Sequence, residues 1–303
     1  TFEQRDALSG YVDYEWIGGD FCFGEDPSNL DSFCWEPVAI VPFFQVQPAN
    51  PNAALDRSSV DELVVGFKRQ LTPLTGLSLH YIDRTWNDLW DDVLTPVGDG
   101  FVETDVRNLE NARREYRAVQ LLVQRRFADN WQLLGSYTWS EATGNLFTND
   151  GLDTFADFQD VSDVNLVNRF GPAPYDRPHQ LGLFGTYQIP LGRSLVSLGS
   201  ALRYRDGVPF QRERDDFFGV RFLSPRGSER LSGVFQWDIS ADLAVKVLNQ
   251  LELEVRAEIF NLTNDSQQLA AESDIDTGRF GLPITVRDLQ VPRSYRLTLG
   301  LRF

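Results

Sequence analysis

The chain has 303 residues, with 28 Lys and Arg against 44 Asp and Glu, a net charge of −16. That acidic excess argues against a nucleic-acid partner, because a phosphate backbone needs a basic face. Hydrophobic residues make up 42% and charged residues 24%, which supports a folded chain, and no run approaches the ~18 apolar residues of a membrane-crossing helix.

No signal peptide is visible in the sequence, which starts at Thr1 and has no Met, so it reads as a mature chain or a piece of a longer one. The first alternating segment is "GYVDYEW", residues 10–16. The two cysteines follow, Cys22 and Cys34 in "FCFGEDPSNLDSFCW". No histidine or third cysteine lies near them, so the sequence does not suggest zinc. A local disulfide in an oxidising compartment is the reading preferred, and it would contribute on the order of 3 kcal/mol. Two unpaired small hydrophobes are the alternative.

From residue 59 a period of two dominates. "SVDELVVGFKRQL" (59–71), "LSLHYIDRTW" (77–86), "RAVQLLVQRRF" (117–127) and "WQLLGSYTWS" (131–140) alternate with slips. "HQLGLFGTYQI" (179–189), "SLVSLGSALRYR" (194–205), "VFQWDISADLAVKV" (234–247), "LELEVRAEIF" (251–260) and "SYRLTLGLRF" (294–303) alternate more strictly. Such a period means strands with two different environments on their two faces. Four connections are tight and carry turn residues: 72–76, 128–130, 190–193 and 248–250. The intervening ones, residues 18–58, 87–116, 141–178, 206–233 and 261–293, run to about 30 to 40 residues, far beyond ordinary loops.

Short turns alternating with long loops predict a transmembrane antiparallel β-barrel, all-β, of about ten strands if residues 10–16 are the first. Strand ends carry Phe127, Trp131, Tyr137, Trp139, Tyr187, Tyr204, Phe235, Trp237, Tyr295 and Phe303, as aromatic girdles would. The competing reading is the core of a soluble β-sandwich. It does not explain polar faces such as Glu252, Glu254, Arg256 and Glu258 beside so many long loops. Alternation at the end of the chain turns Tyr295, Leu297, Leu299, Leu301 and Phe303 toward lipid, and Arg296 and Arg302 toward the lumen.

Several segments resemble the C-terminal barrel of TonB-dependent receptors, in particular the Oar-like, carboxypeptidase-regulatory-like group. "GSYTWSEATGN" (135–145) looks like that family's "SYTWSKATGN". "YDRPHQLGLFGTYQIPLG" (175–192) looks like "DRPHRLNLSGSYDLPFG", and "LELEVRAEIFNLTN" (251–264) looks like "LELRAEVFNLFN". The closing "VPRSYRLTLGLRF" (291–303) looks like the family's last strand. The matches run from about residue 129 to the end.

The resemblance implies a barrel of about 22 strands around an N-terminal plug, in the bacterial outer membrane. It implies uptake of a large or scarce substrate with energy from an inner-membrane complex. On that footing residues 1–303 are expected to be the C-terminal part of one barrel domain, with the plug absent from this sequence. Glu252, Glu254, Arg256, Glu258, Arg296 and Arg302 become candidates for facing lumen or plug. Phe303 looks like the signal read by the barrel-assembly machinery, and lipopolysaccharide and lipid surround the outer face.

Two other readings stay open. One is a structural or adhesin-like barrel without transport. The other is an omptin-like surface protease, which a ten-strand barrel with His and Asp resembles. His80 and His179 are the two histidines. His179 has Asp176 three residues before it, but no Asp pair is in register, so "DRPH" reads as a loop anchor around Pro178. The loop at 145–165 carries Asp150, Asp153, Asp157, Asp160 and Asp163 out of step with an EF-hand, and reads as a solvated acidic loop rather than a calcium site. Its Phe147, Phe155 and Phe158 are candidate ligand contacts. "PVGDG" (96–100) and "GRFGLP" (278–283) read as turns. No catalytic residue, cofactor or metal is expected, and no Walker, dinucleotide or nucleophile-elbow motif occurs.

Overall fold

The computed structural model describes residues 12–16, 35–40, 55–98, 101–147, 167–216, 219–248 and 251–302. Cys22, Cys34, Phe155, Phe158, Phe303 and the acidic run Asp150–Asp163 lie outside them. Along the chain the strands are β1 Val12–Trp16, β2 Trp35–Ile40, β3 Ser59–Thr72, β4 Thr75–Asn87, β5 Trp90–Gly98, β6 Phe101–Asn108, β7 Arg114–Ala128, β8 Trp131–Gly144 and β9 Gly171–Pro172. They continue with β10 His179–Leu191, β11 Ser194–Arg205, β12 Pro209–Phe210, β13 Glu213–Asp216, β14 Gly219–Phe222, β15 Glu229–Arg230, β16 Val234–Leu248, β17 Leu251–Phe260 and β18 Ser294–Arg302.

Two compact units form. One draws on Thr1–Arg57, Trp90–Leu109 and Asp153–Asp163. Within it β1 pairs antiparallel with β2, and β5 with β6. The Asn108 side chain is tied to the Asp56 backbone by two hydrogen bonds of 2.9 Å, accepting from its N–H and donating to its carbonyl. The segment expected to open the barrel is therefore a strand, but its partner is Trp35–Ile40 rather than β3. Alternation specifies that a strand forms; it does not specify which strand lies beside it.

The second unit, Ser58–Leu89, Glu110–Leu152 and Val164–Phe303, holds one large sheet. Its order is β18-β17-β16-β11-β10-β8-β7-β4-β3, with the short β9 beside β8, ten strands in all. Each long strand pairs antiparallel with its neighbours in this sequence-ordered path. Among the described residues β3 and β18 are the two edges.

Three of the tight connections, at 72–76, 128–130 and 190–193, fall where turn chemistry placed them, and residues 249–250 of the fourth lie outside the described residues. After β3, the Thr72 hydroxyl accepts from the backbone N–H groups of Leu74 and Thr75 at 3.2 and 3.0 Å. Asp129 and Asn130 join β7 to β8 with φ of 51° and 68°, the left-handed pair that a two-residue hairpin demands and that Asn and Asp tolerate. Gly192, at φ 62°, joins β10 to β11. These turns share one end of the sheet, and the long connections share the other.

The long connections carry structure of their own. β12 pairs with β15 and β13 with β14. A short 3-10 turn, Val286–Asp288, is closed by a reciprocal cap between Thr285 and Asp288. The buried apolar residues among those described are Ala118, Ala142, Leu146, Ala173, Phe222 and Val234. All lie toward the loop end, where connections fold back over the strands. No second layer of described residues covers the rest of the sheet, so its stability has to come from what lies against its faces.

Candidate functional site

Register sorts every strand residue onto one of two faces. One row crosses seven strands: Phe67, Leu79, Leu121, Tyr137, Leu181, Tyr204 and Phe235 are successive cross-strand partners. Nearer the turns, Leu198, Ala241, Ala257 and Leu297 form another. Leu63, Val65, Leu183, Trp237, Leu243, Leu299 and Leu301 share this face and are exposed. A buried large apolar side chain contributes about 1.5–3 kcal/mol, so leaving the whole face in water would cost on the order of tens of kcal/mol.

Aromatic residues bound this face at both ends. Tyr137, Trp139, Tyr204, Trp237 and Tyr295 lie toward the loops, Trp131 and Tyr187 toward the turns. The Trp237 indole donates to the Ser200 hydroxyl at 3.0 Å, so its polar handle is satisfied within the protein. At the turn end the Arg125 guanidinium sits 3.7 Å from the Trp131 ring centroid. It also donates to the Ala128 and Trp131 carbonyls at 2.9 and 2.6 Å and to Asp129 at 2.9 Å. Folding back over the turn keeps its charge at the boundary, the snorkelling expected of a cation beside hydrocarbon.

The opposite face is polar. Glu252, Glu254, Arg256 and Glu258 share it with Arg296 and Arg302 of β18, with Glu258 directly opposite Arg296 and Glu252 opposite Arg302. Arg296 Nη2 donates to Glu258 at 2.8 Å, Arg302 pairs diagonally with Glu254 at 3.6 Å, and Arg256 pairs with Asp242. Farther along, Arg203 pairs with Asp238 at 2.9 Å and Arg84 with Glu62. Ser78, Ser136, Thr138, Gly182, Thr186 and Gly199 fill much of the surface between these charges, while Val64, Leu122 and Leu134 leave apolar spots on it. Cross-strand ion pairs in water contribute little individually, about 0–1 kcal/mol. Their regularity matters more, because it disfavours any shift of register.

At the loop end the "DRPH" segment forms a clasp. The Asp176 carboxylate is buried, accepts the Ala142 backbone N–H at 2.9 Å and pairs with Arg230 at 2.7 Å. Arg177 donates to the Asp206 carbonyl at 2.7 Å, and its pKa is lowered by burial and by neighbouring Arg205 and Arg230. The His179 backbone N–H donates to the Asp206 carboxylate at 2.9 Å, and its ring Nδ1 lies 2.8 Å from the Tyr137 hydroxyl. The contacts of Asp176 and Arg177 are those of loop anchors, whereas the His179 ring contact joins β10 to β8. His80 lies on the polar face, its ring against Gly66 of β3.

Phe147 is half-buried in a cluster of aromatic and cationic side chains. Its ring meets Tyr175 edge-on at 6.1 Å, and the guanidinium groups of Arg226 and Arg114 lie 5.2 and 6.0 Å from its centroid. Arg226 is itself buried, donates to the Arg169 carbonyl at 2.7 Å and stacks on Phe222. Burial pushes the pKa of both Arg169 and Arg226 down to about 10. Sequence reasoning missed this cluster, since its members lie far apart along the chain and only contact reveals them.

A sheet with one bare apolar face, two aromatic borders, a polar inner face, and short turns opposite long loops defines an outer-membrane β-barrel. The chain lies in the bacterial outer membrane, with its apolar face toward lipid. Residues 102–208 match the family described as an outer membrane beta barrel domain.

The sequence is 28% identical over 241 residues to the TonB-dependent transporter Oar of Myxococcus xanthus, which covers 72% of this chain and 22% of that protein. Two solved structures share the fold. The outer membrane transporter YddB from Escherichia coli has a TM-score of 0.60 at 11% identity, covering 88% of this chain and 35% of that one. BauA, the ferric preacinetobactin receptor from Acinetobacter baumannii, has a TM-score of 0.52 at 14% identity, covering 80% and 29%. The chain thus spans well under half the length of each, and these relatives are transporters and receptors rather than enzymes.

Proposed function

We propose that this chain is the C-terminal part of the barrel of a TonB-dependent outer-membrane transporter that takes up a large or scarce substrate. The observation that carries the reading is the uninterrupted antiparallel path from β3 to β18, apolar on one face and ion-paired on the other, in a sequence 28% identical to Oar over most of its length. Two edges that are unpaired among the described residues support a larger barrel to which further strands contribute. Glu252, Glu254, Arg256, Glu258, Arg296 and Arg302 then line the lumen and face a plug domain. The plug and the energy-transducing inner-membrane complex are the partners. Phe303 serves the assembly machinery, and the loop-side rim of the outer face meets lipopolysaccharide.

The test is uptake. A strain deleted for the gene is expected to lose growth on, or accumulation of, at least one large solute in a substrate screen. Collapse of the inner-membrane proton gradient should abolish the same uptake in the parent strain. Uptake that persists without the gradient would overturn the proposal, and so would a barrel needed for surface attachment but for no solute.

A further inference from the structure

Most arginines on the polar face have an acidic partner: Arg84, Arg203, Arg256, Arg296 and Arg302 are all ion-paired. Among the described residues Arg205, Lys246, Lys68 and Arg126 of this face show no ion pair, and of these Lys68 and Arg126 lie together. Both line one cavity of about 300 Å³ at the turn end of the sheet. No Asp or Glu is among the residues that line it.

Register explains the hollow. Gly76 of β4 lies directly between Gln70 of β3 and Gln124 of β7. A Cβ at Gly76 would meet nothing within 4 Å, so the floor is bare backbone. The flanking glutamines stand two strand spacings apart, about 10 Å. One row toward the loops, Lys68 is opposite Ser78. One row toward the turn, Arg126 is anchored by its backbone N–H to the Leu74 carbonyl at 2.9 Å. Gln70 spends one amide hydrogen on the Pro73 carbonyl at 3.1 Å. The Arg126 guanidinium, the Lys68 ammonium, the Gln124 amide and the Ser78 hydroxyl are left as donors around one hollow, whose lining also includes Arg69.

We infer that this pocket holds the carboxylate of an acidic polypeptide segment seated in the lumen at the periplasmic end. The donor set suits a carboxylate, which can take a bidentate bond from Arg and a further bond from Lys. Charge selects an anion, since Lys68, Arg69 and Arg126 all line this hollow and no Asp or Glu does. Exposure selects a tethered one: water-exposed cations bind a free anion weakly, whereas a carboxylate on a segment already confined to the lumen arrives at high effective concentration. The inference rests on the proposed presence of a plug in the lumen and names where that plug is held.

The test uses the complete protein encoded by the gene, in outer membranes, with a photoreactive residue replacing Gln70. Irradiation is expected to link position 70 to a polypeptide segment within about four residues of an Asp or Glu. K68E/R126E should lower the cross-linking yield at least fivefold, while K68R/R126K stays within twofold of the parent. Heat-modifiable migration reports that the barrel has folded. If K68E/R126E fails that check, K68Q and R126Q are read separately, each expected to lower the yield at least twofold. An unchanged yield in the charge variants would overturn the inference. So would a link mapped to a segment without acid, or loss of the link on adding inorganic phosphate, which marks a site for free anions. The readout does not depend on transport, so failed uptake with an intact, charge-sensitive link refutes the transport reading alone.

Discussion

Asp176 is 5% exposed, and its two oxygens join three parts of the chain: the Ala142 N–H, Arg230, and its own loop before Pro178. Arg230 also donates to the carbonyls of Asp176 and Gly207, both at 2.8 Å. A buried carboxylate held this way is costly to remove, because its partners keep their desolvation and lose their bonds. Asp176→Ala is expected to destabilise the loop end by about 2–4 kcal/mol. Asp176→Asn, which still accepts from Ala142, should cost less. Limited proteolysis in detergent checks this: the alanine variant should be cut within residues 206–233 well before the strands are lost. Equal protease resistance in all three proteins would show the clasp to be dispensable. The sequence pointed to half of this site. "DRPH" marked Asp176 and Arg177 as anchors, but Arg230, 54 residues away, carries no local signature of its role.

Strands were legible for a physical reason: each of the long ones has different surroundings on its two faces, and a period of two records that directly. Turns such as Asp129–Asn130 were legible because backbone geometry restricts which residues fit. Pairing was not. Val12–Trp16 alternates as the barrel strands do, yet its partner is Trp35–Ile40. The hairpin β5–β6 lies within what reads as a single long loop, although "PVGDG" between two alternating runs marks its turn. Pro96 beside a register shift weakened the pattern there.

The face assignments themselves lead to a prediction for the element. Leu183, mid-strand in β10 between Gly135 and Leu202, is 42% exposed on the apolar face. Ser197 of β11 lies on the polar face between Gln188 and Asp242. Leu183→Arg should cost about 2–4 kcal/mol, the value for Arg near the bilayer midplane. Ser197→Arg, beside a carboxylate in water, should stay within about 0.5 kcal/mol. Denaturant titration of the complete protein folded into lipid vesicles separates the two, and equal costs would refute the assignment of faces.

At the scale of the whole molecule the edges decide the outcome. β3 and β18 each leave one side of their backbone unpaired among the described residues. In water such groups are solvated, but in hydrocarbon each unsatisfied N–H or C=O costs several kcal/mol. Strands of 14 and 9 residues expose enough of them to outweigh what lipid contributes to the apolar face. The ion pairs Arg296–Glu258 and Arg302–Glu254 hold β18 to β17 and do nothing for its free side. This 303-residue chain, refolded alone into vesicles, is therefore expected to give no heat-modifiable, protease-resistant monomer. It should associate edge to edge instead, as unprotected strands do. Supplying the further strands of the proposed larger barrel, in trans or in cis, should restore a compact, heat-modifiable species. A stable monomer from the chain alone, with Ser59–Thr72 cross-linking to Ser294–Arg302, would mean that the sheet closes on itself, and the proposed larger barrel would fall with it.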